Sequence, residues 1–168
     1  MGNDDGVEMN PKIGLRFNYQ MYARPKGTNL PWIKVAEVHN LITNVGLYMI
    51  GDALIDVSSQ YDTGITYQAI GTDNTAPLVT DTALGGEGGT RQTLTNKSRS
   101  GAVLTLSTFF TAAQCAVAIE EAGLFGTSTA TAAADSGVMF NRALLSYDNS
   151  GGTYDITIDC VITISEVT

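Results

Sequence analysis

The sequence has few of the residues on which most enzymes depend. Its 168 residues include one histidine, two cysteines and one tryptophan. No GxSxG motif marks an activated serine, so any catalytic triad or dyad would have to use His39. We interpret His39 as a structural or capping residue at the end of a strand, and we expect the protein not to be an enzyme.

The two cysteines do not form a metal or redox motif. Cys115 and Cys160 are 45 residues apart, with no CxxC pair and no histidine nearby. Zinc sites and dithiol redox centres use closer spacings. We expect both cysteines to be small buried hydrophobic side chains, since cysteine is among the most buried residue types. A single disulfide between them is the alternative.

Basic residues are scarce as well. The chain has 9 Lys and Arg against 17 Asp and Glu, a formal net charge of −8. Such a surface is not suited to neutralising nucleic-acid phosphates or anionic lipids. No apolar run approaches the roughly 20 residues that cross a bilayer. The opening MGNDDGVEMN has neither a signal-type apolar region nor the myristoylation pattern, so we expect no nucleic-acid and no membrane partner.

Charged residues make up only 15% of the chain, whereas it contains 18 glycines and 21 threonines. Short strands and turns use these residues heavily, while long surface helices require more Glu, Lys and Arg. The hydrophobic content of 43% is ordinary for a folded domain. We predict an acidic N-terminal arm over residues 1–10, expected to be flexible, and a single β-rich domain over 11–168.

Apolar residues alternate with polar ones along several segments, the period of half-buried strands. The clearest case is the last strand, with six apolar residues on one face: Tyr154, Ile156, Ile158, Cys160, Ile162 and Ile164. Residues 13–38 predict a hairpin, and DNSGG at 148–152 predicts another between the last two strands. About eight strands predict a mainly β fold, an antiparallel β-sandwich or jelly-roll-like domain.

One segment has the helical period. Leu47, Ile50 and Leu54 are spaced by three and four, and Thr43 or Asn44 can cap the first turn. We predict a helix over about 44–57. Its internal glycines, Gly46 and Gly51, each cost about 1 kcal/mol relative to alanine, so we expect them to permit the close approach of a strand or sheet.

A long loop is predicted at about 72–90, and loops of this length are usually functional. Within it, Gly85–Gly89 lacks the GK[ST] ending of a phosphate-binding loop, and no helix signal follows. Paired acids offer no better site: we interpret Asp52 and Asp56 as a solvated helix face, and Glu120 and Glu121 as pointing to opposite faces of a strand. We expect no metal and no cofactor, with isolated calcium sites as a weak alternative at these acids: Asp73, Asp81, Asp148 and Asp155.

The charges are segregated along the chain. A local basic group, Arg91, Lys97 and Arg99, precedes residue 101, and after it seven acids face only Arg142. One interpretation is a solvated strand face; the other is electrostatic contact between subunits. Candidate subunit contacts are therefore the acids of the arm and the basic group: Asp4, Asp5, Glu8, Arg91, Lys97 and Arg99.

Three segments carry a resemblance to a known group of proteins: HNLITNVGL at 39–47, AIGTDNTAP followed by DTALGGE within 69–87, and EAGLF at 121–125. In this order they resemble small virion structural proteins of tailed bacteriophages, including the collar-type opening domain of tail-fibre proteins. The resemblance covers residues 39–165. It implies a non-enzymatic assembly protein located in the virion and assembled in the host cytoplasm.

Within that group, the resemblance leaves two placements. Because no fibre shaft is recognised, we expect an oligomeric capsid decoration protein, with a trimer suiting threefold positions, whose partners are coat or other virion proteins. A baseplate or tail-fibre adaptor is the alternative. A second alternative is a carbohydrate-binding module, although Trp32 and the tyrosines Tyr19, Tyr22 and Tyr61 show no aromatic stripe.

Overall fold

The protein is described by a computed structural model over residues 12–55 and 64–167. These residues form ten strands and one helix, arranged as two antiparallel five-stranded sheets that enclose one main core. The predicted mainly β, sandwich-like fold is confirmed. The predicted arm at residues 1–10 lies outside the described residues.

The first sheet contains the chain's longest strands. Its order is β2 (Ile33–His39), β1 (Lys12–Pro25), β10 (Tyr154–Val167), β7 (Val103–Phe110) and β6 (Asn96–Ser100). The predicted hairpin of β1 and β2 is present, and β6 and β7 form another.

The second sheet carries the helix and the loop that contains the second of the three quoted segments. Its order is β3 (Leu41–Ile42), β9 (Val138–Asp148), β8 (Ala118–Gly126), β4 (Ile65–Gly71) and β5 (Glu87–Thr93). The helix α1 (Asn44–Ile55) follows β3 and packs on β9.

The core lies between the two sheets and follows from the alternating pattern. In β10, the side chains of Ile156, Ile158, Cys160 and Ile162 are buried, as the period of two predicts. Ile164, near the end of the strand, is 40% exposed. The inner face of β1 supplies four further core residues: Phe17, Tyr19, Met21 and Ala23.

The helix begins where the sequence predicted. The backbone N–H of Gly46 donates to Thr43 Oγ1 at 3.0 Å, so Thr43 is the capping residue. A Cβ on Gly46 would overlap the carbonyl oxygen of Phe140, whereas a Cβ on Gly51 would meet nothing within 4 Å. The predicted close approach of a strand is therefore confirmed for Gly46 alone. The helix is described to Ile55, and the last two predicted helical positions lie outside the described residues.

Two local predictions need correction. The turn at 148–152 does not close a hairpin, because β9 belongs to the second sheet and β10 to the first. Asn149, buried in that turn, donates its amide to the carbonyl oxygens of Cys115 and Tyr154 and holds the crossing between sheets. Residues 91–99 are likewise not one arm, since β5 and β6 lie in different sheets. The two-residue strand β3 was not predicted.

Both cysteines are free and buried, so the expectation of hydrophobic packing is confirmed and the disulfide alternative is wrong. Burial raises the pKa of the Cys115 thiol to about 11 and that of the Cys160 thiol to about 12. Over residues 12–55 and 64–167, no helix has both the length and the apolar character required to cross a membrane.

Candidate functional site

The loop predicted at 72–90 lies on the outer face of the second sheet. It spans residues 72–86, shorter than predicted, because Glu87 already begins β5. Leu84 anchors the loop, since its buried side chain packs with a small apolar cluster on that outer face: Ala69, Phe125 and Met139. The second sheet is therefore covered on one side by the core and on the other by this loop.

A buried ion cluster lies beneath the loop and holds it. Arg142 of β9 donates from Nε to Glu121 Oε2 at 2.7 Å and from Nη1 to Asp81 Oδ2 at 2.9 Å. Its Nη2 lies 3.4 Å from Asp73 Oδ2. Because Asp73 and Asp81 belong to the loop and Glu121 belongs to β8, Arg142 joins two strands to two points of the loop. We call these four residues the loop clamp.

The glycine-rich stretch also binds an anion, but the anion is a side chain of the protein. The backbone N–H of Gly86 donates to Glu121 Oε1 at 2.7 Å, and that of Gly85 donates to Glu121 Oε2 at 3.1 Å. Glu121 is fully buried, while its neighbour Glu120 is partly exposed, as expected for adjacent residues of a strand. These amides therefore satisfy a buried carboxylate, which has no water to solvate it.

The electrostatics of the clamp favour its charged state. Burial alone would lower the pKa of Arg142, but the hydrogen bonds to Asp81 and Glu121 outweigh it and raise that pKa. Hydrogen bonds from the hydroxyl and the backbone N–H of Thr75, helped by Arg142, lower the pKa of Asp73. The guanidinium and the Asp73 carboxylate therefore stay ionised near neutral pH, and the clamp serves to hold the loop by charge pairing.

The acids considered for calcium do not assemble a cation site. Asp73 and Asp81 come together, yet the guanidinium of Arg142 occupies the space between them. Asp148 accepts the backbone N–H of Ser150, and Asp155 accepts that of Ala112, so each shapes a turn. Within the described part of the chain, no group of three or more His, Cys, Asp or Glu is arranged to hold a metal ion.

Above the clamp, the loop presents apolar side chains to solvent. Leu78 is 60% exposed and Val79 is 46% exposed. The backbone N–H of Asn44 donates to Val79 O at 2.8 Å, which places the loop tip at the start of α1. One turn further along the helix, Leu47 and Tyr48 are 48% and 56% exposed. We call Leu78, Val79, Leu47 and Tyr48 the apolar ridge.

The predicted basic group is divided by the fold. Arg91 is buried in the second sheet, where it forms two hydrogen bonds to the Glu87 carboxylate, donates to Ser136 O at 2.6 Å and stacks 3.8 Å from the Phe125 ring. Lys97 and Arg99 are exposed on β6 of the first sheet. Arg91 is thus committed to partners within the chain, whereas subunit contact stays a prediction for Lys97 and Arg99. Asp4, Asp5 and Glu8 lie outside the described residues.

The two other residues singled out are at the surface of the first sheet. His39 ends β2, and its Nδ1 lies 3.3 Å from Phe17 O, consistent with the structural interpretation. Trp32 lies under the Arg24 guanidinium, 4.4 Å from the ring centroid, and meets Phe109 edge to face. One face of its ring is therefore covered, so Trp32 and Phe109 do not form the flat platform that sugar-binding modules present.

The three segments quoted in the sequence analysis are joined by these contacts. The first contains the cap Thr43 and contacts the loop through Asn44, the second is the loop itself, and the third contains Glu121. The central residue, Arg142, was missed from the sequence as a loop-binding residue. Its isolation as the one base after residue 101 was the available signal, because a lone cation among acids in an apolar strand requires buried partners.

No protein-family model, no curated protein and no solved structure matches the chain.

Proposed function

We propose that the protein is a non-enzymatic structural component of a tailed-phage virion, and that it decorates the capsid as a homo-oligomer such as a trimer. The observation that carries the proposal is the apolar ridge on a clamped loop. Leu78 and Val79 are held out to solvent by a loop that the buried ion cluster fixes from below.

A rigid exposed apolar ridge is typical of a contact surface between proteins. Large apolar side chains exposed together in a soluble domain usually mark an interaction site. Because the clamp already orders the loop, binding a partner costs little further conformational entropy. The acidic net charge of −8 disfavours non-specific association between free subunits.

The residues that carry the resemblance also build the proposed contact surface, and this supports the virion assignment. The matching segments supply the helix cap, the clamped loop and the buried Glu121, which together build the ridge and its support. Residues that build a shared scaffold are the ones expected to recur in proteins that share it.

The proposal is tested with particles that lack the protein. Phage particles are produced from the genome that carries this sequence with its reading frame deleted. Purified protein is added back, the particles are sedimented, and bound protein is located with a labelled antibody by negative-stain microscopy. We expect saturable binding on the head at a regular copy number.

A variant pair makes the test specific to the ridge. The double variant Leu78→Ser/Val79→Ser is expected to lose most particle binding and self-association. Leu30→Ser, which alters a side chain 56% exposed in the β1–β2 connection, is the matched control and should bind normally. Binding at the tail would replace decoration by the adaptor role. Absence from every particle, together with binding to a glycan array, would reject the virion function.

A further inference from the structure

A cleft of about 460 Å³ opens between α1 and the inner face of the first sheet, and the helix lines it with Met49, Ile50, Ala53 and Leu54. Its walls come from β1, β10, β7, α1 and the start of β4, and include Leu15, Leu54, Leu104 and Ile164. Lys97 is the only charged side chain among the described residues that line it.

The apolar wall of the cleft continues into solvent. Ile13 and Leu54 are both 80% exposed, and Ile164 is 40% exposed. Ile13 lies on the same face of β1 as Leu15, which is paired with Ile164 in β10. This surface is too continuous to be an accidental scatter of apolar side chains, so we expect a chain segment to cover it.

The far side of the cleft is basic. Lys97 is paired with Leu106, and Arg99 with Leu104, so both basic side chains lie on the cleft face of β6. The Arg99 guanidinium donates to Gly101 O at 2.9 Å. Among the described residues, neither Lys97 nor Arg99 forms a salt bridge. The cleft therefore suits a segment with both apolar and acidic side chains.

We propose that residues 4–9 of the same chain, DDGVEM, dock into this cleft. The segment has two apolar residues, Val7 and Met9, whose spacing of two would place both on one side of an extended chain. Asp4 and Asp5 precede them and provide negative charges to pair with Lys97 and Arg99. The acidic segment and the basic side of the cleft are therefore electrostatically complementary, although the protein as a whole is acidic.

The length of the chain permits this docking. Lys12 begins β1 at the cleft end of the sheet. Arg99 of β6 lies level with Phe17 of β1, because pairing across β10 and β7 connects these two positions. The distance across the sheet from Lys12 to Arg99 is therefore about 22 Å, three strand spacings sideways and five residues along the strand. Asp4 and Asp5 are eight and seven residues before Lys12, an extended reach of about 23 to 29 Å.

Docking of the arm does not depend on the assembly role proposed above, because none of the four ridge residues lines the cleft and the docking segment is a different part of the chain. The two proposals can fail separately. Particle binding tests the ridge, whereas the experiment below uses the purified full-length protein alone.

The test is a disulfide trap in the full-length chain. Val7→Cys/Leu54→Cys is oxidised under mild conditions and analysed by mass spectrometry and non-reducing gel electrophoresis. The native cysteines are buried and do not compete. We expect a disulfide between positions 7 and 54 within a monomer. The matched control Val7→Cys/Leu30→Cys places the second thiol at the other end of β1 and should not link.

A second measurement examines the charges. A peptide of residues 1–11 is titrated into the protein lacking those residues, and Lys97→Glu/Arg99→Glu is expected to weaken its binding about tenfold, an effect that salt should diminish. A scrambled peptide is the control. Linked dimers in the trap would assign the cleft to the arm of a second copy and overturn the proposal. Absence of the disulfide between positions 7 and 54, or equal binding of the scrambled peptide, would also overturn it.

Discussion

At the scale of single residues, two glycines in one helix have opposite roles. Gly46 faces β9, and a Cβ there would overlap the Phe140 carbonyl oxygen, whereas Gly51 faces open space. Gly46→Ala should lower the free energy of unfolding by about 1 to 3 kcal/mol, because the helix must move away from the strand. Urea denaturation followed by circular dichroism measures the change.

Gly51→Ala is the matched control. It adds the same methyl group to the same helix where there is space, and alanine favours the helical backbone by up to about 1 kcal/mol. We expect Gly51→Ala to be neutral or stabilising. Equal destabilisation by both substitutions would mean that helix α1 does not contact β9 through Gly46.

Glu37 provides a residue-scale prediction of pH dependence. Its hydrogen bond with Lys34, joined by those from Asn18 and Gln20, lowers the pKa of this carboxyl from 4.5 to about 2. Because the folded-state pKa is depressed, the contribution to stability is complete above pH 4.5 and is lost as the pH falls towards about 2. NMR titration of the Glu37 carboxyl carbon should show a midpoint near 2.

The Lys34→Met variant separates this contact from its surroundings. Without the ammonium group, the Glu37 pKa should rise towards its ordinary value. Lys26→Met, which removes a charge from the nearby turn, is the control and should leave the midpoint in place. A Glu37 midpoint near 4.5 in the unmodified protein would contradict the contact.

At the scale of elements, the loop clamp decides how the loop at 72–86 is held. Arg142→Met removes the cation from three carboxylates and leaves Glu121 buried without its ion-pair partner. We expect a loss of about 3 kcal/mol in the free energy of unfolding, typical of breaking a buried ion pair from one side. Hydrogen exchange of backbone amides in 72–86 should rise, while that of β1 and β10 changes less.

The double variant Glu121→Gln/Arg142→Met is the control for charge. It removes the buried negative charge together with its partner and keeps one side-chain oxygen, which can accept from one of the two backbone amides, Gly85 or Gly86. Part of the lost stability should return. A double variant less stable than Arg142→Met would show that the cost comes from lost packing rather than from the unpaired charge.

Element-scale features differ in how far the sequence predicts them. The alternation in β10 and the three-and-four spacing in α1 are local patterns, so both elements were predicted close to their observed bounds. The sheet to which a strand belongs is not a local property. Turn residues at 148–152 are compatible with a hairpin and with a crossing between sheets, and the buried Asn149 selects the crossing.

At the scale of the whole molecule, the two thiols report on the integrity of the sandwich. Cys115 and Cys160 are fully buried, and burial raises their pKa values to about 11 and about 12. At about pH 8 both thiols are protonated and inaccessible in the folded state, and the thiolate is the reactive form. We expect an aromatic disulfide reagent to label both cysteines only at the rate of global unfolding.

Denaturant dependence checks this prediction. Labelling of the two positions, resolved by mass spectrometry, should follow the same curve as the loss of the circular dichroism signal. Cys115→Ala and Cys160→Ala assign each position in turn. Rapid labelling of either thiol in the native protein would show that one end of the sandwich opens independently of the rest.

For the candidate site, as for the fold, the sequence predicts local features but not the contacts between distant residues. The glycine-rich loop, the acids and the basic group were all visible in the sequence, but their partners were not. Arg91 was grouped with Lys97 and Arg99 because they are near in sequence, yet the change of sheet between β5 and β6 separates them. Glu121 and Arg142, 21 residues apart, meet because β8 and β9 are neighbours.

By itself, the sequence determined the class of fold, helix α1 with its cap, the burial of the thiols and the scarcity of catalytic groups, because each depends on composition or on local period. Only the tertiary structure decided which charges meet, where the apolar ridge is exposed and which face of α1 borders the cleft. These features depend on contacts between residues far apart in the chain, and hydrophobic alternation specifies that a strand is buried without specifying its neighbours.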